Sequence, residues 1–354
     1  MNSTTAVKWF KDIALTDRTS VGGKGASLGE LTRAGIRVPP GFVVPVTTFE
    51  TFISTLDPGG KIRHSITALQ GSDLSALSVA AGGIRARIIA HTMPGEIGES
   101  IAAAYRAIAA DEKDAPVAIR SSATSEDSDD ASFAGLQDTY LWVRGEAAVL
   151  AHVRKCWASL YNTESVAYRH RLKLPEEQVA MAVVVQRMVL ARSAGVMFTR
   201  SPTTGDRSII VIESAWGLGS ALVSGEVTPD RFVVNKVTGE ITQRTISPKL
   251  VRHTPDLAKG GVIEENVSQE QQSLSSLSDA EIKELAATAK SVERHYGSAQ
   301  DIEWAVAEAD GKSVIYLLQS RPETVWSAKD AAPIAKPQAT AFDHVFAALA
   351  HRKS

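Results

Sequence analysis

A hairpin signal between Asp301 and Glu323 constrains this chain most. Asp301-Ile302-Glu303-Trp304-Ala305-Val306 alternates polar and apolar residues, Asp310-Gly311 supplies a two-residue turn, and Val314-Ile315-Tyr316-Leu317-Leu318-Gln319-Ser320-Arg321 forms the return run. Asp-Gly between two alternating runs predicts two antiparallel strands. A side-chain period of two puts Asp301 and Glu303 on one face and Ile302, Trp304 and Val306 on the other. On the return strand the same period puts Gln319 and Arg321 on a face with Ile315 and Leu317. The polar faces of the two strands can then coincide, bringing two carboxylates, an amide and a guanidinium to one end of the hairpin. Oxygen ligands beside a fixed cation suit Mg²⁺ on a polyphosphate. An exposed polar edge with a surface ion pair accounts for the same residues.

At 354 residues the chain is long enough for two or three subdomains. A formal net charge of −2 gives no ground for general nucleic-acid binding. The single cysteine, Cys156, excludes an internal disulfide and a cysteine-based zinc cluster, and its helical setting beside Trp157 marks it as a packing residue. The amino terminus lacks a signal-peptide core, and apolar runs such as 179–185 are too short to span a bilayer. A cytoplasmic protein without membrane or nucleic-acid partners is expected.

A short strand is expected near Trp9, and a glycine-rich loop enters a helix at 21–31. Helices are expected over 47–110, with a polar, glycine-containing break near 71–83, and again over 146–172. Strands are predicted at 38–44, 116–120 and 179–189. Hairpins are predicted around Thr204-Gly205-Asp206 and Thr238-Gly239. Ser278-Asp279-Ala280-Glu281 is a capping box opening a helix that ends at Gly297. A linker follows Pro322, and 342–350 reads as a short helix. Strands alternating with helices and long connections indicate a mixed α/β or α+β enzyme domain, and the α+β class is the one expected.

Several segments have the chemistry of a phosphate site. Glycines in Gly22-Gly23-Lys24-Gly25 allow backbone N–H groups close to phosphate oxygens, and Lys24 adds a mobile charge. It is not a Walker A loop, and taken alone it reads better as a glycine-capped surface turn. Arg120, at the end of a strand, could clamp a phosphate with its fork, and the Ser, Thr and Gly residues that follow suit a flexible lid. Glu126, Asp127, Asp129 and Asp130 read as a solvated loop outside the site. Gln186 interrupts an apolar strand and needs a partner, either an adenine edge or a backbone group. Glu213 and the Trp216-Gly217-Leu218-Gly219-Ser220 run form a candidate site loop, or a tight turn.

Together these segments resemble the amino-terminal nucleotide-binding domain of phosphoenolpyruvate synthase, a domain shared by pyruvate phosphate dikinase and rifampin phosphotransferase. The matching stretches are 21–31, 38–42, 119–140, 185–188, 193–201, 215–230 and 301–324, in the family's order. The resemblance implies an ATP-grasp fold of two to three subdomains with ATP in the cleft between them. The expected division is 1–200 (glycine-rich loop and lid), 201–326 (second ATP-grasp part) and 327–354 (tail or linker). Carried over residue by residue, Lys24, Arg120 and Arg321 are the phosphate-binding and catalytic cations. Gly135 and Thr139 are nucleotide contacts in the lid, and Gln186 lies near the base. Glu303 and Gln319 contact Mg²⁺ and nucleotide, with Asp301 beside the metal.

The family also carries a phosphohistidine domain and a pyruvate-binding barrel, for which this sequence shows no counterpart. A domain of this kind standing alone resembles the ATP-binding subunit of phenylphosphate synthase. That resemblance implies a dikinase-type phosphotransferase passing the β-phosphoryl of ATP to a histidine on a partner subunit, with AMP and phosphate as products and phenol as acceptor. Part of a phosphoenolpyruvate synthase acting on pyruvate, a rifampin-type phosphotransferase, and a non-catalytic ATP-sensing module are the alternatives.

Overall fold

The computed structural model describes residues 6–71, 73–110, 112–123, 127–128, 131–132 and 138–330. Gly135, the acidic residues at 126, 129 and 130, and the helix expected over 342–350 lie outside the described residues. In chain order the strands are β1 (Lys8–Trp9), β2 (Gly41–Val44), β3 (Val117–Ala123), β4 (Asp127–Ser128), β5 (Ala131–Ser132), β6 (Thr139–Val143) and β7 (Met181–Arg187). They continue with β8 (Ala191–Phe198), β9 (Ile209–Trp216), β10 (Asp230–Asn235), β11 (Ile241–Thr245), β12 (Val251–Pro255), β13 (Val262–Asn266), β14 (Gln300–Ala309) and β15 (Lys312–Pro322).

Two antiparallel sheets organise the mixed α+β fold. The first has the order β1-β2-β7-β3-β6 and the second β11-β10-β9-β8-β14-β15. The chain passes from the first to the second across residues 188–190. In the first sheet Phe42, Val44, Val117, Ile119, Val183 and Val185 face one large core, shared with helices α2 (Val46–Leu56), α3 (Lys61–Ala68), α4 (Leu74–Ala90), α5 (Gly95–Ala109), α6 (Glu146–Ser159) and α7 (Thr163–Leu172). The alternate residues Val43, Ala182 and Val184 pack instead on α1 (Arg18–Arg33). Coverage on both faces explains why the central strand β7 is an almost unbroken apolar run.

The second sheet buries Met197, Ile210, Ile212, Phe232, Ile302, Trp304 and Val306 against the long helix Asp279–Tyr296. That helix starts at the Ser278–Glu281 capping box and ends at Gly297 with φ +68°, as its sequence signals predict. Glu281 also accepts from Ser313 Oγ (2.6 Å) and pairs with Arg192. Burial works to raise its pKa, but the bonds from Ser313, Ser278 and Arg192 outweigh it and hold the carboxyl below its usual range. A lowered folded-state pKa stabilises the fold above the unfolded carboxylate's pKa, and this stabilisation is lost as pH falls through the folded value. Glu281→Gln should therefore cost about 1.5–3 kcal/mol at pH 7, and the difference from the parent should shrink in acid denaturant titrations below about pH 4.

One expectation needs correction. The break near 71–83 is confined to the turn before Leu74, because Asp73 caps α4 by accepting from Ala76 N–H (2.7 Å). Gly82 and Gly83 lie inside that helix, and a Cβ at either would meet nothing within 4 Å. Residues 248–277, which carry no strong periodicity, hold the β12–β13 hairpin, paired His253 to Glu264. Cys156 is fully buried in the first core, and burial pushes its thiol pKa up, in keeping with a packing role.

Candidate functional site

The glycine-rich loop lies within α1. Gly22 has φ +71° and ψ 175°, a conformation essentially restricted to glycine, and it breaks α1 before Gly23-Lys24-Gly25 re-enters the helix. The bend rests on the end of β3. A Cβ at Gly22 would lie 2.2 Å from the Ser122 carbonyl oxygen. Ser122 is fully buried; its hydroxyl donates to Val21 O (2.9 Å) and accepts from Gly25 N–H (3.2 Å). Further along α1, Ser27 Oγ donates to Ser320 O (2.6 Å) on β15, so this helix is fastened to both sheets. Gly22→Ala adds about 1–3 kcal/mol of backbone strain and pushes the loop off Ser122. The unfolding free energy, measured by denaturant titration, is expected to fall by about that amount.

Strand alternation turns Ala118, Arg120 and Ser122 of β3 toward α1, away from the large core. Their cross-strand partners Gln186, Val184 and Ala182 share that face, as does Thr139, paired with Arg120 on β6. Gln186 is buried and its amide lies 3.5 Å from Pro39 O, a long contact to a backbone acceptor.

The β14–β15 hairpin forms as predicted around Asp310 and Gly311, both at positive φ. Its register pairs Asp301 with Arg321 and Glu303 with Gln319. It then shifts, so that Trp304 pairs with Leu317 and Leu318 becomes an extra residue. This bulge corrects the expectation that Gln319 and Arg321 share a face with Ile315 and Leu317. Ile315 and Leu317 are in the core with Trp304 and Val306, whereas beyond the bulge the parity reverses and Gln319 and Arg321 join Glu303 and Asp301.

Arg120 crosses from the first sheet to this bulge. Its Nη2 donates to Glu303 Oε2 (2.8 Å) and to Gln319 Oε1 (2.8 Å), and its Nη1 donates to Leu318 O (3.1 Å). Two side-chain oxygens thus converge on one positive charge. Arg321, half-exposed, donates from Nε to Asp301 Oδ2 (3.3 Å). Burial raises the Asp301 pKa, against the opposing charge of Arg321.

A cavity of about 500 Å³ opens between the two sheets. Lys24, Arg120, Thr139, Gln186, Glu303, Gln319 and Arg321 all border it. Asp301 does not border it, and is joined to the site through Arg321. Leu141, Met188, Val189, Leu218 and Val223 give the same cavity an apolar lining. Its size and mixed lining suit a small molecule with one charged and one apolar part. A larger cleft of about 790 Å³ lies alongside and shares Thr139, Leu141 and Ser220, but contains none of the residues Lys24, Arg120, Glu303 or Arg321. Sequence reasoning missed Ser122 as the brace of the glycine loop and Leu318 as the bulge. The unassigned hydroxyl after Arg120 was a usable signal for the first; nothing in the alternation signals the second. Glu213, on β9, does not border the cavity.

The chain matches the family described as pyruvate phosphate dikinase, AMP/ATP-binding domain, over residues 18–341. It is 42% identical over 320 residues to a probable phosphoenolpyruvate synthase of Methanothermobacter thermautotrophicus, covering 90% of this chain and 46% of that protein. It is 41% identical over 359 residues to the phosphoenolpyruvate synthase of Aeropyrum pernix, covering 94% of this chain and 44% of that protein. With the phosphoenolpyruvate synthase of Pyrococcus furiosus it shares 37% identity over 357 residues, 90% of this chain and 44% of that protein. The chain spans less than half the length of these curated relatives. Among the described residues no helix is long and apolar enough to cross a membrane. The chain belongs to the AMP/ATP-binding domain family of pyruvate phosphate dikinase, whose domain is an ATP-grasp-type nucleotide-binding domain.

Proposed function

We propose that this chain is the ATP-binding part of a dikinase-type phosphotransferase that passes the β-phosphoryl of ATP to a histidine outside the described residues, on a partner subunit or domain, releasing AMP and phosphate. The observation that carries the reading is the convergence of Lys24, Arg120, Arg321, Glu303 and Gln319 on one cavity between two sheets of a family ATP-binding domain. Lys24, Arg120 and Arg321 neutralise phosphate charge as it redistributes in the transition state. Thr139, on β6 beside Arg120, contacts the nucleotide, and Gly135 is the lid contact that the resemblance implies. Gln186, with the apolar lining at Met188 and Val189, receives the base.

Mg²⁺ fits the residues present. Glu303 and Gln319 aim oxygens at one point already held by a cation, and hard oxygen donors suit magnesium. These two residues would hold the ion, with Asp301 nearby, and the bound ion supplies charge neutralisation on the polyphosphate.

The phosphoryl acceptor follows the histidine-bearing partner. The relatives' names favour pyruvate, as in phosphoenolpyruvate synthase, while a partner of the phenylphosphate synthase kind would direct the group to phenol. Purifying the tagged chain from its native cells and identifying what copurifies tests this reading. A partner with a phosphohistidine domain, labelled by ATP carrying isotope in the β-phosphate, supports it. ADP as the nucleotide product with that partner present overturns it.

A further inference from the structure

Away from the glycine-rich loop, Glu226, His253 and Glu264 meet from three separate stretches: the loop before β10, β12 and β13. One ligand-type atom of each lies within 4.8 Å of the others. Glu226 Oε2 is 2.8 Å from His253 Nε2, and His253 Nδ1 is 2.8 Å from Ser220 Oγ. With the ring proton on Nδ1 and donated to Ser220, Nε2 turns its lone pair toward the carboxylates. A fixed partner on the second ring nitrogen is the usual support of a metal-binding histidine.

The charge balance also calls for a cation. A carboxylate oxygen of Glu264 lies within 4.8 Å of one of Glu226, so two acidic groups face one imidazole. The nearby guanidinium of Arg252 is engaged by Glu265 (3.1 Å) instead. The backbone beneath is well anchored. His253 sits opposite Glu264 in the β12–β13 ladder, Leu218 N–H donates to His253 O (2.9 Å), and a Cβ at Gly217 would lie 2.4 Å from that oxygen.

We propose that Glu226, His253 and Glu264 form a second divalent-cation site, of the zinc class, separate from the nucleotide cavity. One imidazole nitrogen and two carboxylate oxygens match the ligand set of a zinc ion that keeps a fourth position for water. The imidazole favours zinc over magnesium. The ion takes the place between Nε2 and Oε2 that a proton holds otherwise, and the exposed Glu264 side chain supplies the third bond, each bond about 2 Å long. Because Ser220 also borders the nucleotide cavity, the ion would tie the β12–β13 hairpin to the loop lining that cavity.

The test is calorimetric titration of Zn²⁺ into metal-stripped protein without nucleotide, with Co²⁺ absorption as a second readout. The expected result is one ion per chain, bound at least about tenfold more weakly in His253→Gln and in Glu264→Gln, with the visible Co²⁺ bands lost in His253→Gln. Glu303→Gln should leave both readouts unchanged. Zinc affinity that is the same in His253→Gln and Glu264→Gln as in the parent, or that is lost only in Glu303→Gln, overturns the site. Should His253→Gln fail to fold, the exposed Glu264→Gln variant decides alone.

Discussion

Replacing Arg120 with alanine should cut ATP-dependent phosphoryl transfer by at least about 10³-fold while the chain stays folded, because removal of a guanidinium that stabilises transition-state phosphate charge has effects of 10³–10⁵. Arg120 stands on the first sheet and reaches Glu303, Gln319 and the Leu318 carbonyl on the second. It can serve a phosphate only by releasing one or more of these partners, so in the proposed reading the arrangement without nucleotide keeps the Glu303 and Gln319 oxygens paired with a cation until ATP arrives. The same variant should therefore bind free Mn²⁺ more tightly than the parent in the absence of nucleotide. The pair is partly solvated, so the stability lost is at most about 1 kcal/mol. Steady-state rates, Mn²⁺ titration and a melting curve check the three parts. Full activity in Arg120→Ala would remove the assignment of this cavity to phosphate.

The largest stability effect is expected far from the cavity. Lys249 and Asp230 are fully buried and joined at 2.6 Å. Asp230 accepts further bonds from Ser247 N–H (3.1 Å) and from the N–H (2.8 Å) and hydroxyl (2.7 Å) of Ser276. Lys249 also donates to Ser247 O (2.8 Å). Methionine at 249 keeps the volume but leaves a carboxylate without its counter-ion in a dry site. Breaking such a pair costs about 3–5 kcal/mol. At about 2 °C per kcal/mol for a large domain, the melting temperature should fall by at least roughly 6 °C. Neither residue borders the nucleotide cavity, so ATP affinity measured well below the transition should be unchanged. A loss under about 1 kcal/mol in denaturant titrations would mean the pair is compensated elsewhere.

These two sites differ in how far the sequence reveals them. The β14–β15 hairpin is legible because three local signals agree: alternation, an Asp-Gly turn and β-forming residues. The helix at 279–296 is legible for the same reason, through its capping box and terminal glycine. Arg120, Gln186 and Lys24 stand out because each is polar or glycine-flanked in an apolar setting. The bulge at Leu318 is not legible, because two adjacent leucines continue either parity and the choice depends on β14 opposite. Lys249 reads as a surface lysine beside Pro248, and its burial depends on Asp230 and Ser276, which approach only in the folded chain. The Glu226–His253–Glu264 cluster is hidden similarly: His253 and Glu264 lie on hairpin strands that are polar and weakly periodic, and Glu226 reaches them from the loop before β10. Local chemistry is readable where one segment carries it, and is lost where distant segments share it.

A crystal structure of the chain with Mg²⁺ and a non-hydrolysable ATP analogue tests the central claim most directly. The account predicts the analogue in the 500 Å³ cavity between the sheets, its phosphates within hydrogen-bond reach of Lys24 and Arg120, and Arg120 withdrawn from Glu303 in favour of the ion. An analogue seated in the larger cleft beside Trp142, with Arg120 still bonded to Glu303 and Gln319, would contradict it.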